Sequence, residues 1–225
     1  SFAWIRITMM NLSPKDKNKE NIIGIIENIT DEKIAEESFV QEKRNLRYRA
    51  EFDQLTHIFN RATLQEKVEN HLQHTSLKNV LLIIDLDNFK QINDKMGHNQ
   101  GDIVLKDVAS ILKKVFRNTD IIGRLGGDEF VVFMKDINNY KIIEEKVKKV
   151  LRLVEREYRK DHNVIKLSCS IGIAVSPECG TSFEQLYDVA DQALYHVKNN
   201  GKSGYDMMCN DKKSIALKYL LFIFI

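Results

Sequence analysis

The sequence predicts an α+β fold, a βαββαβ core with added helices, preceded by a β-hairpin and a connector helix. Three observations carry that prediction. Residues 80–84 are five consecutive apolar residues between Asn79 and Asp85, the pattern of a strand covered on both faces. Residues 120–125 and 129–134 are Val-, Ile- and Phe-bearing runs on either side of Gly126-Gly127, a pair that suits a two-residue hairpin turn. Helical spacing of Ile142, Ile143, Val147, Val150, Leu151 and Val154 then gives way to alternation over 164–175, completing the order. With right-handed crossovers this order gives an antiparallel-containing sheet with helices packed on one side.

The elements follow in sequence. Residues 2–9 alternate, with Ile5, Ile7 and Met9 opposite Trp4, Arg6 and Thr8, and a second strand at 22–28 follows a polar loop, making a long hairpin of residues 1–30. A lone hairpin is not stable by itself. Residues 31–52 are charged and free of Gly and Pro, so they read as a connector helix with Thr30 or Asp31 as its N-cap. Ile34, Ser38, Gln41, Asn45, Tyr48 and Phe52 follow coiled-coil spacing with a polar middle. That pattern permits a parallel dimer without specifying it, and a solvated linker helix is the equal alternative.

After a turn-like stretch from Asp53 to Arg61, Leu64, Val68 and Leu72 mark an amphipathic helix. Strand 80–84 ends where polar chemistry begins, leaving Asp85 at a strand end. A short helix over 88–94 is broken by Gly97 and Gly101, and a second helix carries Val104, Val108, Ile111, Leu112 and Val115. In the strand over 164–175, Ser168, Ser170 and Gly172 interrupt the apolar positions. Ser182 to Gln185 forms a capping box that opens the last long helix, with Phe183, Leu186, Ala190, Ala193, Leu194 and Val197 as its stripe and Asn200-Gly201 as its stop. A last short strand covers 203–208. The apolar tail 209–225 is shorter than the ~20 residues needed to span a bilayer and has no assigned role.

Composition bounds the function. With 225 residues, 43% of them hydrophobic, the chain is long enough for one well-buried domain and a smaller appendage. A net charge of +2 leaves no electrostatic footprint for nucleic acid, so no nucleic-acid partner is expected and phosphate binding must be local. Cys169, Cys179 and Cys209 match neither a zinc site nor a disulfide framework, which makes a reducing cytoplasm the expected location. Strand-like sequence follows Ser1 directly with no signal-peptide pattern, as in a chain that starts inside a longer protein, whose membrane association stays open.

The chemistry centres on Gly126-Gly127-Asp128-Glu129. Adjacent carboxylates repel each other, and beside a glycine turn they suit a cation, although these four residues alone fit an ordinary hairpin with solvated acids better. In a βαββαβ sheet the strand ending at Asp85 lies beside this hairpin, so the carboxylates converge. With a backbone carbonyl such as that of Leu86 they form a hard oxygen site for one or two Mg²⁺ ions holding a triphosphate. Phe89 stands where an aspartyl-phosphatase site needs a hydroxyl. An EF-hand reading fails at Phe89, Lys90 and Met96, which occupy ligand, glycine and bidentate-Glu positions.

Residues 53–208 resemble a GGDEF domain of the diguanylate cyclase family. The signature stands intact at 126–130, and the run from Asp85 to Asp94, with Gly97-His98 and Gly101-Asp102, matches the family's nucleotide segment. The resemblance implies a ferredoxin-like, palm nucleotidyl cyclase core. It also implies a homodimer in which each GTP 3′-hydroxyl attacks the other subunit's α-phosphate, releasing pyrophosphate and cyclic di-GMP with two Mg²⁺ (or Mn²⁺) ions per site. By the same resemblance Asp85, the Leu86 carbonyl, Asp128 and Glu129 form the metal shell, with Asp128 also the base. Asn93 and Asp102 read guanine, since a carboxylate can accept from both N1–H and the 2-amino group. His98 contacts substrate, Lys90 offsets phosphoryl charge, and Lys198 clamps phosphate. Lys202 stands where the family usually has Arg, keeping the charge and losing the bidentate fork.

Arg117 and Asp120 have the spacing of the family's R-x-x-D product site, with a helix-terminal Arg and a strand-start Asp as the alternative. Residues 1–30 resemble the last strands of a PAS-like sensory domain, joined through 28–33 to the helix. The competing function is a non-catalytic GGDEF module that senses GTP or cyclic di-GMP. Retention of every signature acid favours the enzyme.

Overall fold

The computed structural model describes residues 3–12, 21–160 and 163–208, so the tail 209–225 lies outside the described residues. The chain divides into two units, Ser1–Ala50 and Glu51–Ile225. In the first, β1 (Ile5–Leu12) pairs antiparallel with β2 (Asn21–Asn28), and α1 (Thr30–Glu51) follows. Asn28 marks the change of structure. Its Oδ1 accepts from the Thr30 amide at 3.1 Å and from the Thr30 hydroxyl at 2.6 Å, tying down the first residue of α1. None of the residues of α1 is buried, and Phe39 is 68% exposed.

The second unit contains the site. It runs β3 (Phe59–Asn60), α2 (Arg61–Leu72), β4 (Asn79–Asp87), α3 (Phe89–Met96), α4 (His98–Val115), β5 (Ile121–Gly126) and β6 (Glu129–Met134). Then come α5 (Tyr140–Val154), β7 (Arg156–Lys160), β8 (Asn163–Ser176), α6 (Phe183–Asn199) and β9 (Tyr205–Met207). The strand order is β3-β5-β6-β4-β8-β7, with β9 added beside β8. Central β4 is antiparallel to both β6 and β8. This contains the βαββαβ core that the sequence predicts, and its strand at 80–84 is covered on both faces, each residue being 0% exposed.

Helices cover both faces, which corrects the one-sided packing expected. Val80, Leu82 and Ile84 join a core with α3, α4 and α5, while Leu81 and Ile83 join one with α2 and α6. The cause is local: five apolar residues in a row put apolar groups on both sides of the pleat, and each side needs a helical layer. The connectivity was legible, but the face taken by α2 and α6 was not.

Two further details differ. Gly126 pairs with Glu129, so the two-residue turn is Gly127-Asp128 and not Gly126-Gly127. Gly127 takes φ 52°, the positive value that a type II′ turn requires at its first central position. A register shift between Arg124 and Gly126 moves the turn on by one residue. Strand β7 is a second departure, since four of its five residues are charged and show no apolar alternation. Nothing in its sequence marks it as a strand, and pairing with β8 makes it one.

Candidate active site

The last residues of β4 are the point on which the predicted chemistry converges. The strand continues to Asp87, two residues past Asp85, because β8 offers hydroxyl donors there: Ser168 and Ser170 donate to Asp87 at 2.7 and 2.9 Å. Asp85 therefore lies within the strand and not at its end. It stands opposite Glu129 of β6 on one side and Ser170 of β8 on the other. Alternation along β4 places Asp85 on the face of Leu81 and Ile83, beneath α6. There Lys198 reaches it, with Nζ 2.8 Å from Asp85 Oδ2. Leu86 points to the opposite face and is 2% exposed, so its side chain belongs to the core.

Asp128 occupies the second turn position, one residue before Glu129. Burial raises the Asp85 pKa despite the Lys198 ammonium, and the charges of Asp128 and Asp87 raise it further. Glu129 is also raised, first by burial and then by Asp85 and Asp191. The donors are carboxylate oxygens in a cluster short of positive charge, which fits a hard divalent cation. Among the described residues no group of three such side chains is already closed around one point, and Lys198 holds Asp85 instead.

A consequence can be measured without substrate. Because the folded state holds the Glu129 proton to higher pH than the unfolded chain does, ionising Glu129 costs stability as pH rises through its raised pKa. Glu129→Gln is expected to raise the metal-free melting temperature at pH 7 and to lose that gain at acid pH. Equal melting curves at both pH values would contradict the burden assigned to this acid.

Helix α3 begins two residues after β4. It is pinned at both ends to the β7–β8 ribbon: Asn88, at φ 65°, donates from Nδ2 to the Lys166 carbonyl at 3.2 Å. Lys160 Nζ donates to the Met96 carbonyl at 2.8 Å. Asn93 lies against Gly101, where a Cβ would come within 2.0 Å of Asn93 Oδ1. The missing side chain thus brings Asn93 beside the first turn of α4, which carries Asp102. Lys90, His98 and Asp102 are exposed, as is Lys202, which follows α6 with φ 62°. The structure gathers Asp85, Glu129 and Lys198 on one face, and Asn93 and Asp102 at the α3–α4 junction.

Asp120 stands immediately before β5. It is 8% exposed, and its two oxygens accept from the Arg117 and Lys135 amides at 2.8 and 3.2 Å, closing the loop from α4 to β5 and anchoring the end of β6. The Arg117 side chain remains exposed. Sequence reasoning gave no role to Arg124 or Asp53. Arg124 donates from Nε and Nη2 to the Gly127 carbonyl at 3.0 and 2.7 Å, and its Nη1 lies 3.2 Å from Asp53 Oδ1. Asp53 also accepts from the amide and hydroxyl of Thr56 at 2.8 and 2.5 Å. Burial opposes its ionisation, yet Thr56 and Arg124 hold its pKa below the ordinary value. The guanidinium braces the turn that presents Asp128. Its one sequence signal is an Arg three residues before a turn carbonyl.

Comparison with known proteins points the same way. The family model described as "Diguanylate cyclase, GGDEF domain" matches residues 50–204. The chain is 34% identical over 171 residues, 75% of its length, to the bifunctional diguanylate cyclase/cyclic di-GMP phosphodiesterase MucR of Pseudomonas aeruginosa, and spans 25% of that protein. It is 35% identical over 162 residues, 70% of its length, to the diguanylate cyclase DgcS of Shewanella oneidensis, and spans 53% of it. Among solved structures, the GGDEF domain of PA1120 (TpbB or YfiN) from Pseudomonas aeruginosa superposes with a TM-score of 0.66 at 29% identity, covering 74% of this chain and 99% of that one.

Proposed function

Since the chain belongs to the GGDEF domain family, we propose that it is a diguanylate cyclase, condensing two GTP molecules into cyclic di-GMP and two pyrophosphates as a cytoplasmic homodimer. The observation that carries this reading is the Asp85–Glu129 cross-strand pair, with Asp128 in the adjoining turn and Lys198 above it. Asp85, the Leu86 carbonyl, Asp128 and Glu129 would hold Mg²⁺ or Mn²⁺, two ions per site, whose charge would polarise the triphosphate.

The remaining work falls to the chain's own groups. Asp128, half-buried in the turn, takes the proton of the 3′-hydroxyl presented by the facing subunit. Lys90 lies where its ammonium can offset charge growing on the α-phosphoryl oxygens. Lys198 leaves Asp85 for the phosphates, and Lys202 adds a second point charge without the fork of an Arg. Asp102 accepts from guanine N1–H and the 2-amino group and the Asn93 carboxamide completes the contacts to the base edge, with His98 beside them. Residues 1–30 serve as the end of a PAS-like input domain, and α1 as its connector. Among the described residues no helix is long and apolar enough to cross a membrane.

Incubation with GTP and Mg²⁺ at protein concentrations where the chain is dimeric tests the proposal. Appearance of neither pyrophosphate nor cyclic di-GMP would sink it. The second reading, a module that binds nucleotide without turning it over, draws on the Lys198–Asp85 ion pair, which fills the space beside a metal-shell acid. GTP binding with no pyrophosphate release would select it.

The Asn93–Gly101 contact supplies a sharper test of guanine recognition. Gly101→Ala forces the Asn93 carboxamide aside while leaving the acids untouched. The expected result is a rise of about tenfold in KM for GTP, the effect of losing a hydrogen bond or two to the base, with poorer rejection of ATP. An unchanged GTP/ATP ratio would remove Asn93 from base reading.

A further inference from the structure

Asp87 is the most deeply buried acid at the end of β4, at 3% exposure, and the cyclase reading gives it no task. Its oxygens are already occupied by donors of the protein. Oδ1 accepts from the Ser170 hydroxyl at 2.9 Å, and Oδ2 accepts from the Ser168 hydroxyl at 2.7 Å and from the Ser203 backbone amide at 3.1 Å. The last bond joins residues 116 apart in sequence. It reaches a turn of unusual backbone: Gly201, Lys202 and Ser203 have φ values of 105°, 62° and 50° in succession. For Lys and Ser the left-handed region costs on the order of 1 kcal/mol or more each, and such residues persist only where their surroundings hold them. Two bonds hold these. Lys202 N donates to the Val197 carbonyl at 3.1 Å, continuing from α6, and Ser203 N donates to Asp87.

We propose that Asp87 is a positioning residue, whose carboxylate fixes the Gly201–Ser203 turn to the central strand and so presents Lys202 to the phosphates of the nucleotide. The inference rests on the reading of Lys202 as a phosphate contact; the anchoring itself does not. Asp87 acts through hydrogen bonds and not as a further metal ligand, since its oxygens face two hydroxyls and an amide. Asparagine can reproduce that pattern. Its Oδ1 takes the place of Oδ2 for Ser168 and Ser203, while its Nδ2 donates to the Ser170 hydroxyl, which rotates to accept. Alanine leaves the Ser203 amide and both hydroxyls without their acceptor.

The experiment compares the full chain with Asp87→Ala and Asp87→Asn. Amide hydrogen exchange is read first, without nucleotide. The Ser203 amide is expected to exchange at least ~10-fold faster in Asp87→Ala, the equivalent of one lost hydrogen bond, and at the original rate in Asp87→Asn. Steady-state kinetics are read second. Asp87→Ala is expected to raise KM for GTP by about tenfold with kcat within roughly twofold, and Asp87→Asn to restore KM. Unchanged Ser203 exchange in Asp87→Ala would overturn the anchor. Loss of activity in Asp87→Asn equal to that in Asp87→Ala, with exchange protection kept, would show that the charge matters and overturn the hydrogen-bonding role. A wild-type chain without turnover would count against the cyclase, while the exchange comparison would still decide the anchor. If Asp87→Ala does not fold, Asp87→Ser, too short to reach the Ser203 amide, reads the same two measurements.

Discussion

Asp128→Asn is expected to lower cyclic di-GMP formation by at least ~10³-fold while leaving the melting temperature close to that of the original chain and weakening GTP binding far less than turnover. The substitution keeps the size of the side chain, and Asn is at home in a turn, so the hairpin has no reason to change. Arg124 still grips the Gly127 carbonyl at 3.0 and 2.7 Å, holding the turn from outside. On the proposed reading, the substitution removes the base for the attacking hydroxyl and one negative charge of the acid cluster. Pyrophosphate release measured beside GTP binding separates the two parts: binding is expected to weaken modestly and turnover to fail. Turnover within tenfold of the original would take Asp128 out of the reaction.

Gly172→Ala carries the largest expected loss of stability. Strand β8 passes under α6 at this residue, and a Cβ there would lie 1.9 Å from the Ala190 carbonyl oxygen and 2.5 Å from the Leu194 amide nitrogen. Both are backbone atoms of a helix, so no side-chain rotation relieves the contact. Helix α6 must lift as a body from Leu81 and Ile83, costing ~3 kcal/mol or more. Urea unfolding is expected to show a lower midpoint at unchanged slope, and a loss below ~1 kcal/mol would mean that the helix can slide aside cheaply. Because Lys198 rides on the same helix, any folded fraction should also bind GTP more weakly.

How far the molecule could be read from its residues follows from these cases. Strand β4, the hairpin, α4 and α6 were legible because a continuous apolar run, paired apolar runs about two glycines and helical stripes are local signals. Gly172 gave only an interruption in a strand, and the helix that requires it lies beyond the next turn. The turn itself was placed one residue early, since two successive glycines fit either register and the irregularity after Arg124 decides between them. Convergence of Asp85 with the hairpin followed from strand order alone. The roles of Asn93, Asp102, Lys90 and Lys198 came instead from resemblance to a family. The Arg124–Asp53 brace spans 71 residues and left no pattern, and Asp87, two residues after Asp85 in the same run, shows nothing in sequence to separate it from Asp85. Position along a chain tells which acids are neighbours, and only the sheet tells which of them face donors of the protein.

Strand β7 limits how copies of this chain can associate. In the second unit, one border of the sheet is shared by the charged strand Arg156–Lys160 and the three-residue β9, and the other is the two-residue β3, so neither offers a long row of free backbone groups to an incoming strand. Growth of the sheet by edge-to-edge addition is thereby discouraged. For this unit, helices or turns are therefore better suited than strand edges to contact between copies.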